Sequence, residues 1–397
     1  MTTAEIELRE VVLSIGDTTF LDYDDIKVKR FGYGPIGKGG NGLILHSALA
    51  VNPENGQPIG LLWQKLWNRE HKPKPSLDET PAQKKQRQKE ARKIAAHRPF
   101  CEKESYRWVE AMTTVEKQVS TSTHVIHVFD REGDITEVFD YVRQHQHCGV
   151  LVRATHNRSL DQHSERLWQK LESQPIQFQK QINLPATTSH KAREATVAVR
   201  FCQVSLRTPY RFDNRHPIKV YAVYTTEINP PDGVPPLEWM LLTTEVVTNI
   251  EQAARILRWY CYRWHVEEYH KILKSGCQVE RYRLAGESMK VLCGFLTVLA
   301  VELLQLTYLH RTQPDLPALV VLNPTQEAVL KAHSSNKSSK STVFNVAWAV
   351  EAIARLGGYL EHRRNTPIGV QVLWRGWLKL HDLCQGWKLA IDTYREK

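Results

Sequence analysis

Short apolar, β-branched runs separated by polar clusters mark the first third of the chain. Two of these runs, Val11–Asp17 and His124–Asp130, each stop at an aspartate. Runs of this kind predict buried strands of a covered sheet, and ligand groups of α/β sheets lie at strand ends. A single aspartate at such a position more often only starts a turn, so either one alone is weak evidence.

A long amphipathic helix is predicted from a capping box at Thr248 and Glu251 to a stop at Gly276. An apolar stripe along it is typical of a buried side and comprises Tyr262, Val266, Tyr269 and Leu273. A second stripe is polar and comprises Tyr260, Arg263, Glu267, Lys271 and Lys274. Its members share an arc of about 60° because the helix turns about 100° per residue.

A glutamate among lysines and arginines is usually part of a solvated, salt-bridged helix face. Asp17 and Asp130 upstream of Glu267 change that interpretation. Carboxylate oxygens are the ligands that Mg²⁺ and Mn²⁺ prefer, and cationic groups beside them suit a phosphate substrate. The three carboxylates therefore indicate phosphodiester chemistry.

Local sequence patterns predict the structure of the other parts of the chain. A glycine-rich loop at Gly32–Gly42 and a hairpin turn at Asn52–Gly56 are predicted in the first 70 residues, before a basic helical connection. The interval between Asp130 and Glu267 is too long for a simple crossover. Alternating segments at Ala195–Phe201 and Ile218–Tyr224 predict a β-rich insertion there. The last part is predicted to be helical, with a polar loop at 334–340.

Composition favours a polyanionic partner, since the net charge is +10 and the isoelectric point is near 9.2. The basic run Lys84–Arg98 either contacts DNA backbone or forms a solvated helix. The apolar stretch Val291–Leu309 contains Glu302 and Gln305, which favours a buried helix over a membrane span. No signal peptide is expected, and seven cysteines without a C-x-x-C pair predict reduced thiols and no zinc site.

The chain resembles the bacterial DDE transposases of the insertion-sequence-four family, in the hairpin-forming, cut-and-paste branch typified by the Tn-five transposase. The specific features are Asp17-Thr18-Thr19, the segment Asp130–Ile135 and the signature Tyr260, Arg263, Glu267, Lys274. Weaker similarity lies in Lys103–Ser105 with Trp108, in Trp239–Thr243 and in Ala352–Tyr359. The likeness extends from about residue 11 to the C-terminus.

The resemblance implies an α/β protein with an RNase H-like catalytic core, a mixed sheet flanked by helices. The expected parts are the first part of the core at 1–150, a β-rich insertion at 151–245, the core helix and its successor at 246–310, and a helical dimerisation region at 311–397. The expected activity is metal-dependent cleavage, hairpin formation and strand transfer on double-stranded DNA by a homodimer. The expected location is the cytoplasm of a bacterium, at the nucleoid and away from membranes.

Catalysis would depend on Asp17, Asp130 and Glu267 holding two Mg²⁺ ions about 3.5–4 Å apart, for which Mn²⁺ would substitute. Nearby acids are disfavoured as ligands; they are Glu132, Asp134 and Glu268. Tyr260, Arg263 and Lys274 would contact phosphates beside the cleaved end, with Lys271 adding to them.

The resemblance implies further DNA contacts, and each residue concerned has an alternative structural role. Trp239 either stacks on a flipped base or is a core tryptophan. Arg153, His156 and Arg158 match a basic strand-end motif of the family but could equally be surface charge.

Related transposases carry a helical end-recognition domain before the first catalytic aspartate, whereas 16 residues precede Asp17 here. The sequence therefore leads us to expect a transposase without that domain. The alternatives are a truncated form that dimerises with a full-length relative and inhibits it, or an inactive remnant of an insertion element.

Overall fold

The computed structural model describes residues 2–24, 31–37, 39–71, 78–145, 147–161, 165–184, 192–212, 214–335, 343–360 and 368–395. Ten strands within these ranges form one mixed sheet. They are β1 (Val11–Asp22), β2 (Gly34–Gly37), β3 (Gly40–Val51), β4 (Pro58–Trp67), β5 (His124–Phe129), β6 (Cys148–Arg153), β7 (Phe178–Leu184), β8 (Arg193–Leu206), β9 (Ile218–Glu227) and β10 (Glu238–Thr243).

The strand order is β2-β3-β1-β5-β6-β10-β9-β8-β7, and β4 pairs with β3. Strands β1, β5 and β6 are parallel, and the other pairings are antiparallel. The alternating segments Ala195–Phe201 and Ile218–Tyr224 lie in β8 and β9, as predicted. Strands β7–β10 continue the same sheet.

Eleven helices belong to the described ranges. They are α1 (Thr2–Ile6), α2 (Pro81–His97), α3 (Arg107–Gln118), α4 (Thr136–Gln144), α5 (Leu167–Glu172), α6 (Ile250–Cys261), α7 (Trp264–Lys271), α8 (Gly286–Thr312), α9 (Pro324–Ser335), α10 (Val346–Leu356) and α11 (Val370–Arg395). The fold is thus α/β, with its helices concentrated after the last strand.

The two faces of the sheet carry different helical layers. Successive residues of a strand point to opposite faces. Ile126 and Val128 of β5 therefore pack with α6–α8 on one face. Phe129 of β5 packs with α3 and α4 on the other.

The predicted end of the first strand at Asp17 is wrong. β1 continues to Asp22 because β3 pairs with it through Asp17↔Ser47 and on to Asp22↔Gly42. The predicted loop Gly32–Gly42 is also shorter than expected, since β2 and the start of β3 occupy part of it. The turn at Asn52–Gly56 is confirmed: Gly56 has φ of 83° and its N–H donates to the Asn52 carbonyl at 2.9 Å.

The single helix predicted from Thr248 to Gly276 is wrong as well. Asn249 is the N-cap of α6, and its side chain accepts from the Gln252 N–H at 2.9 Å. The helix breaks between Cys261 and Trp264, where the Arg263 N–H donates to the Tyr260 carbonyl at 3.1 Å in a tighter turn. After α7 the chain continues as a π-helix, Ile272–Gly276, which ends at the predicted stop.

The stretch predicted to be a buried helix lies in α8. By length and composition alone α8 could cross a membrane. One side of it is buried in the core and includes Met289, Leu296, Ala300, Leu303 and Leu304. Val291, Phe295 and Val298 are exposed, so the expected burial applies to one side only.

The polar loop predicted at 334–340 is wrong at its first two residues. Ser334 and Ser335 still belong to α9, and residues 336–340 lie outside the described residues.

Candidate active site

Asp17 and Asp130 come together across the parallel strands β1 and β5. The pairing runs from Val11↔His124 to Ile15↔Val128. Continuing this register by two residues brings Asp17 next to Asp130. Asp130 directly follows β5, where its Oδ1 accepts from the Glu132 N–H at 2.9 Å and caps the turn Arg131–Gly133.

Glu267 reaches the same place from α7. This helix packs on β1 and β3, over the sheet face that carries Leu13 and Ile15. Asp17 lies on that face too, because it follows Ile15 by two residues. The Glu267 side chain is 39% exposed, so solvent reaches its carboxylate.

The electrostatic environment of Asp17 reflects this convergence. Burial, the Asp130 carboxylate and the Glu267 carboxylate raise the pKa of Asp17 to about 7, against the lowering effect of the Arg263 guanidinium. The folded protein thus holds several negative charges close together around a buried carboxylate, which is unfavourable in free energy. A cation bound among these oxygens would relieve that cost.

Arg263 is the principal counter-charge. Its side chain is largely buried, and its Nη2 donates to Glu267 Oε1 at 2.5 Å. Burial opposes the charged form, yet Tyr260, Glu267 and Asp17 together raise the pKa of this guanidinium. Arg263 therefore stays charged at the edge of the carboxylate cluster.

A hydrogen-bonded chain supports the other side of β1. Thr18 Oγ1 lies 2.8 Å from His46 Nδ1 and accepts from Arg107 Nε at 3.0 Å. Arg107 also donates to Glu132 at 2.6 Å, next to Asp130. Burial lowers the pKa of His46 well below its usual range, so the imidazole is neutral. The chain links both aspartate-bearing segments to α3.

His270 backs the site from α7. Its Nδ1 lies 3.7 Å from Asp17 Oδ2, and its Nε2 lies 3.3 Å from Ser47 Oγ. Burial and the Lys274 ammonium lower the pKa of His270 to about 3. A neutral imidazole therefore packs behind Asp17 and adds no positive charge to it.

The three acids disfavoured as ligands all have cationic partners. Glu132 pairs with Arg107 at 2.6 Å and Asp134 with Arg158 at 2.5 Å. Glu268 pairs with Arg311 at 2.6 Å. Although its burial acts in the opposite direction, hydrogen bonds from His265 and Arg311 lower the pKa of Glu268 to about 2.

Tyr260 and Trp239 pack against one another behind Arg263. Their ring centroids are 5.1 Å apart at 72°, and both side chains are buried. Burial raises the pKa of the Tyr260 phenol, so it remains protonated. Both residues lie beside the predicted site, but in this conformation neither presents an open face to DNA.

A pocket of about 320 Å³ adjoins Trp239. Trp264, at the first position of α7, also lines it and is half-exposed. The Arg263 guanidinium lies 5.2 Å from the Trp264 ring centroid. Arg131, Arg153 and Arg193 contribute positive charge to the same walls. Trp264 was not among the predicted site residues, although its place next to Arg263 in the signature was a usable signal.

The basic strand-end residues have different surroundings. Arg153 lines this pocket and donates to the Glu238 carbonyl at 2.9 Å. The His156 side chain is exposed. Arg158 holds the fully buried Asp134 through its Nε at 3.0 Å and Nη2 at 2.5 Å. These contacts give Arg158 a structural role in the loop.

The two lysines of the predicted stripe differ in their position relative to Glu267. Lys271 follows Glu267 by four residues in α7, so both lie on one side of the helix. Lys271 is exposed at the end of α7. Lys274 lies in the π-helix, which shifts its direction relative to a regular α-helix. Its Nζ donates to the Phe20 carbonyl at 2.8 Å and lies 3.2 Å from Glu280 Oε1, near the end of β1. Of the predicted stripe, Lys274 is therefore the member whose contacts lead away from Glu267.

A scan against protein-family models found no match to this chain. The geometry of the carboxylate cluster therefore carries the functional argument.

Proposed function

We propose that this chain is a DDE-type DNA transposase of the insertion-sequence-four kind, which cleaves DNA through a hairpin intermediate and joins the ends to a target. The observation that carries the proposal is the convergence of Asp17, Asp130 and Glu267 beside one buried arginine. The raised pKa of Asp17 supports it, since the cluster is electrostatically incomplete without a cation.

The strand order supports an RNase H-like core. Three antiparallel strands in the order β4-β3-β1 are followed by the parallel strands β5 and β6. In this proposal the antiparallel strands β7–β10 are an insertion between the second aspartate and the glutamate. The catalytic groups then come from the central strand, its parallel neighbour and a helix laid across them.

The donor set fits Mg²⁺ or Mn²⁺. Asp17, Asp130 and Glu267 offer carboxylate oxygens, which hard divalent cations prefer. When bound, such ions activate a water or a DNA 3′-hydroxyl and stabilise the leaving oxygen of an in-line displacement. Arg263 positions Glu267 through their hydrogen bond and offers positive charge to the phosphate.

The pocket beside the cluster suits a nucleobase displaced from the duplex. Hairpin formation forces bases at the cleaved end out of the stack, and aromatic rings bind them by stacking. Trp264 is half-exposed there, whereas Trp239 forms the buried wall behind it. Arg131 and Arg153 supply charge for the adjoining phosphates.

The exposed helix α2 supplies a second DNA contact in this proposal. None of its residues is buried, so the core does not account for its presence. Thr80 and Gln83 form a capping box that stabilises it without tertiary packing. Its lysines and arginines suit a duplex backbone.

The proposal includes a homodimer assembled on DNA through the C-terminal helices. Helix α11 packs on α9 and α10 but leaves apolar side chains exposed, among them Leu378, Leu383, Trp387 and Leu389. Chemical cross-linking of the purified chain with and without duplex DNA tests this part.

The reaction itself is tested on a duplex with a labelled strand that ends in a 3′-hydroxyl at a nick. With Mn²⁺, attack of that hydroxyl on the phosphodiester opposite the nick joins the two strands and releases the flanking part of the opposite strand with a 3′-hydroxyl. We expect a labelled product on a denaturing gel with the combined length of the labelled strand and the joined part of the opposite strand. A duplex whose nick ends in a 3′-deoxynucleotide is the matched control, and an equal product from it would exclude this reaction.

A further inference from the structure

A second group of potential ligands lies on the sheet face opposite to the carboxylate cluster. Glu116 comes from α3, His127 from β5 and Cys148 from the first position of β6. One ligand atom from each lies within 4.8 Å of the others, and His127 Nε2 is 3.7 Å from Glu116 Oε1. His127 faces α3 because Phe129, two residues later, packs on that side.

The His127 imidazole and one Glu116 oxygen are buried without hydrogen-bond partners, whereas the Cys148 thiol donates to the His145 carbonyl at 3.8 Å. The unpaired atoms are both ring nitrogens of His127 and the Oε1 of Glu116, and the His127 side chain is 1% exposed. The 3.7 Å between His127 and Glu116 is too long for a hydrogen bond. Buried polar groups in proteins are nearly always paired, so an unpaired histidine and carboxylate that converge indicate an absent partner.

The three side chains indicate which kind of ion would bind among them. Neither ring nitrogen of His127 has a hydrogen-bond partner, so the lone pair of one of them is available to a cation. A thiol, an imidazole and a carboxylate together favour a borderline-soft transition metal ion over Mg²⁺. Tetrahedral Zn²⁺ with bonds of about 2.0–2.3 Å places its ligand atoms roughly 3.3–3.8 Å apart, close to the present spacing.

We propose that Glu116, His127 and Cys148 bind one Zn²⁺ ion that ties α3 to the parallel strands β5 and β6. The Cys148 thiol releases its proton to solvent as the sulfur–zinc bond forms, and water fills the fourth position. The site is separate from the carboxylate cluster and has a structural role. Because strand pairing brings the ligands together, their spacing in the sequence forms no zinc motif.

The test uses Co²⁺, which replaces Zn²⁺ and gives a charge-transfer band in the near ultraviolet only when a thiolate is bound. The full chain is freed of metal with a chelator and titrated with Co²⁺. We expect the band to saturate at one equivalent and to disappear on adding Zn²⁺. It should be lost in Cys148→Ser and retained in Cys202→Ser, where a half-buried cysteine of the same sheet is changed. A band that persists in Cys148→Ser would overturn the assignment, and so would no band in the parent.

Stability provides a second readout that does not require removing the thiol. We expect Zn²⁺ to raise the melting temperature of the parent, and this shift to be lost in Glu116→Gln. Glu267→Gln should keep both the cobalt band and the zinc shift, so failure of the proposed catalytic function would leave this site intact. Equal zinc shifts in the parent and in Glu116→Gln would contradict the proposal.

Discussion

Asp17 and Asp130 share one line of register across the parallel strands β1 and β5, two residues beyond the Ile15↔Val128 pair. This relationship brings together two carboxylates from distant parts of the sequence. It also places both on the sheet face that α7 covers with Glu267. Strand register therefore brings the two aspartates together, and the packing of α7 on the sheet adds Glu267.

Removing the charge of Asp17 should stabilise the metal-free protein. The pKa of Asp17 is raised to about 7 by burial, Asp130 and Glu267. Three pKa units correspond to about 4 kcal/mol as an upper bound, so we expect Asp17→Asn to gain on the order of 1–3 kcal/mol near pH 8. Urea unfolding in a chelator measures this, with the exposed Asp382→Asn as control. A less stable Asp17→Asn protein would contradict the electrostatic account.

The raised pKa of Asp17 also predicts that stability and metal affinity depend on pH. The folded-state pKa of Asp17 exceeds its unfolded value, so its contribution to stability is largest below about pH 4 and falls as the pH rises to about 7. Metal binding must displace this proton. Manganese affinity should therefore increase as the pH rises to about 7 and level off near pH 8. Magnetic resonance titration of Mn²⁺ measures this, and the Asp17-linked rise should be absent from Asp17→Asn.

Helix α2 should bind DNA through charge alone. Lys85, Lys89 and Arg92 are exposed and share one side of the helix. Changing all three to Gln should weaken duplex binding and reduce the slope of log affinity against log salt by up to about 0.9 per lost phosphate contact. Fluorescence anisotropy at several salt concentrations measures both.

The matched control for α2 changes Arg375, Lys379 and Lys388 on α11, which are also exposed. This variant has the same loss of charge. If both variants bind DNA equally well, net charge rather than α2 determines binding.

We expect Trp264 to affect the rate of hairpin formation and Trp239 to affect the stability of the fold. Trp264→Ala should slow hairpin formation by about 5- to 150-fold, because one base–aromatic stack contributes about 1–3 kcal/mol. Its free energy of unfolding should fall by less than that of Trp239→Ala, since Trp264 is only partly buried. Trp239→Ala should instead lower the free energy of unfolding by about 3–5 kcal/mol, as expected for a buried tryptophan. Rates on the nicked duplex and urea unfolding separate the two; equal hairpin rates for parent and Trp264→Ala would exclude the stacking role.

The sequence predicted the carboxylates of the site because each belongs to a strand or helix with a clear apolar pattern. It misplaced the end of β1 because pairing with β3 is a long-range contact. It predicted one helix through Tyr262 and Arg263 because no proline or glycine marks the break. Packing of Tyr262 against Gly56 occurs at this point, and that contact has no local signal. The sequence also did not predict that Glu116, His127 and Cys148 lie together, because the contacts between them are long-range.

The most direct test of the proposed active site compares Glu267→Gln with Glu268→Gln on the nicked duplex in Mn²⁺. The two glutamates are adjacent, but Glu268 pairs with Arg311, whereas Glu267 pairs with Arg263 and acts on the pKa of Asp17. Melting curves of both variants first establish that they are folded. The account predicts that Glu267→Gln forms no hairpin and that Glu268→Gln forms it at close to the parent rate. Hairpin formation by Glu267→Gln at the parent rate would contradict the proposed site.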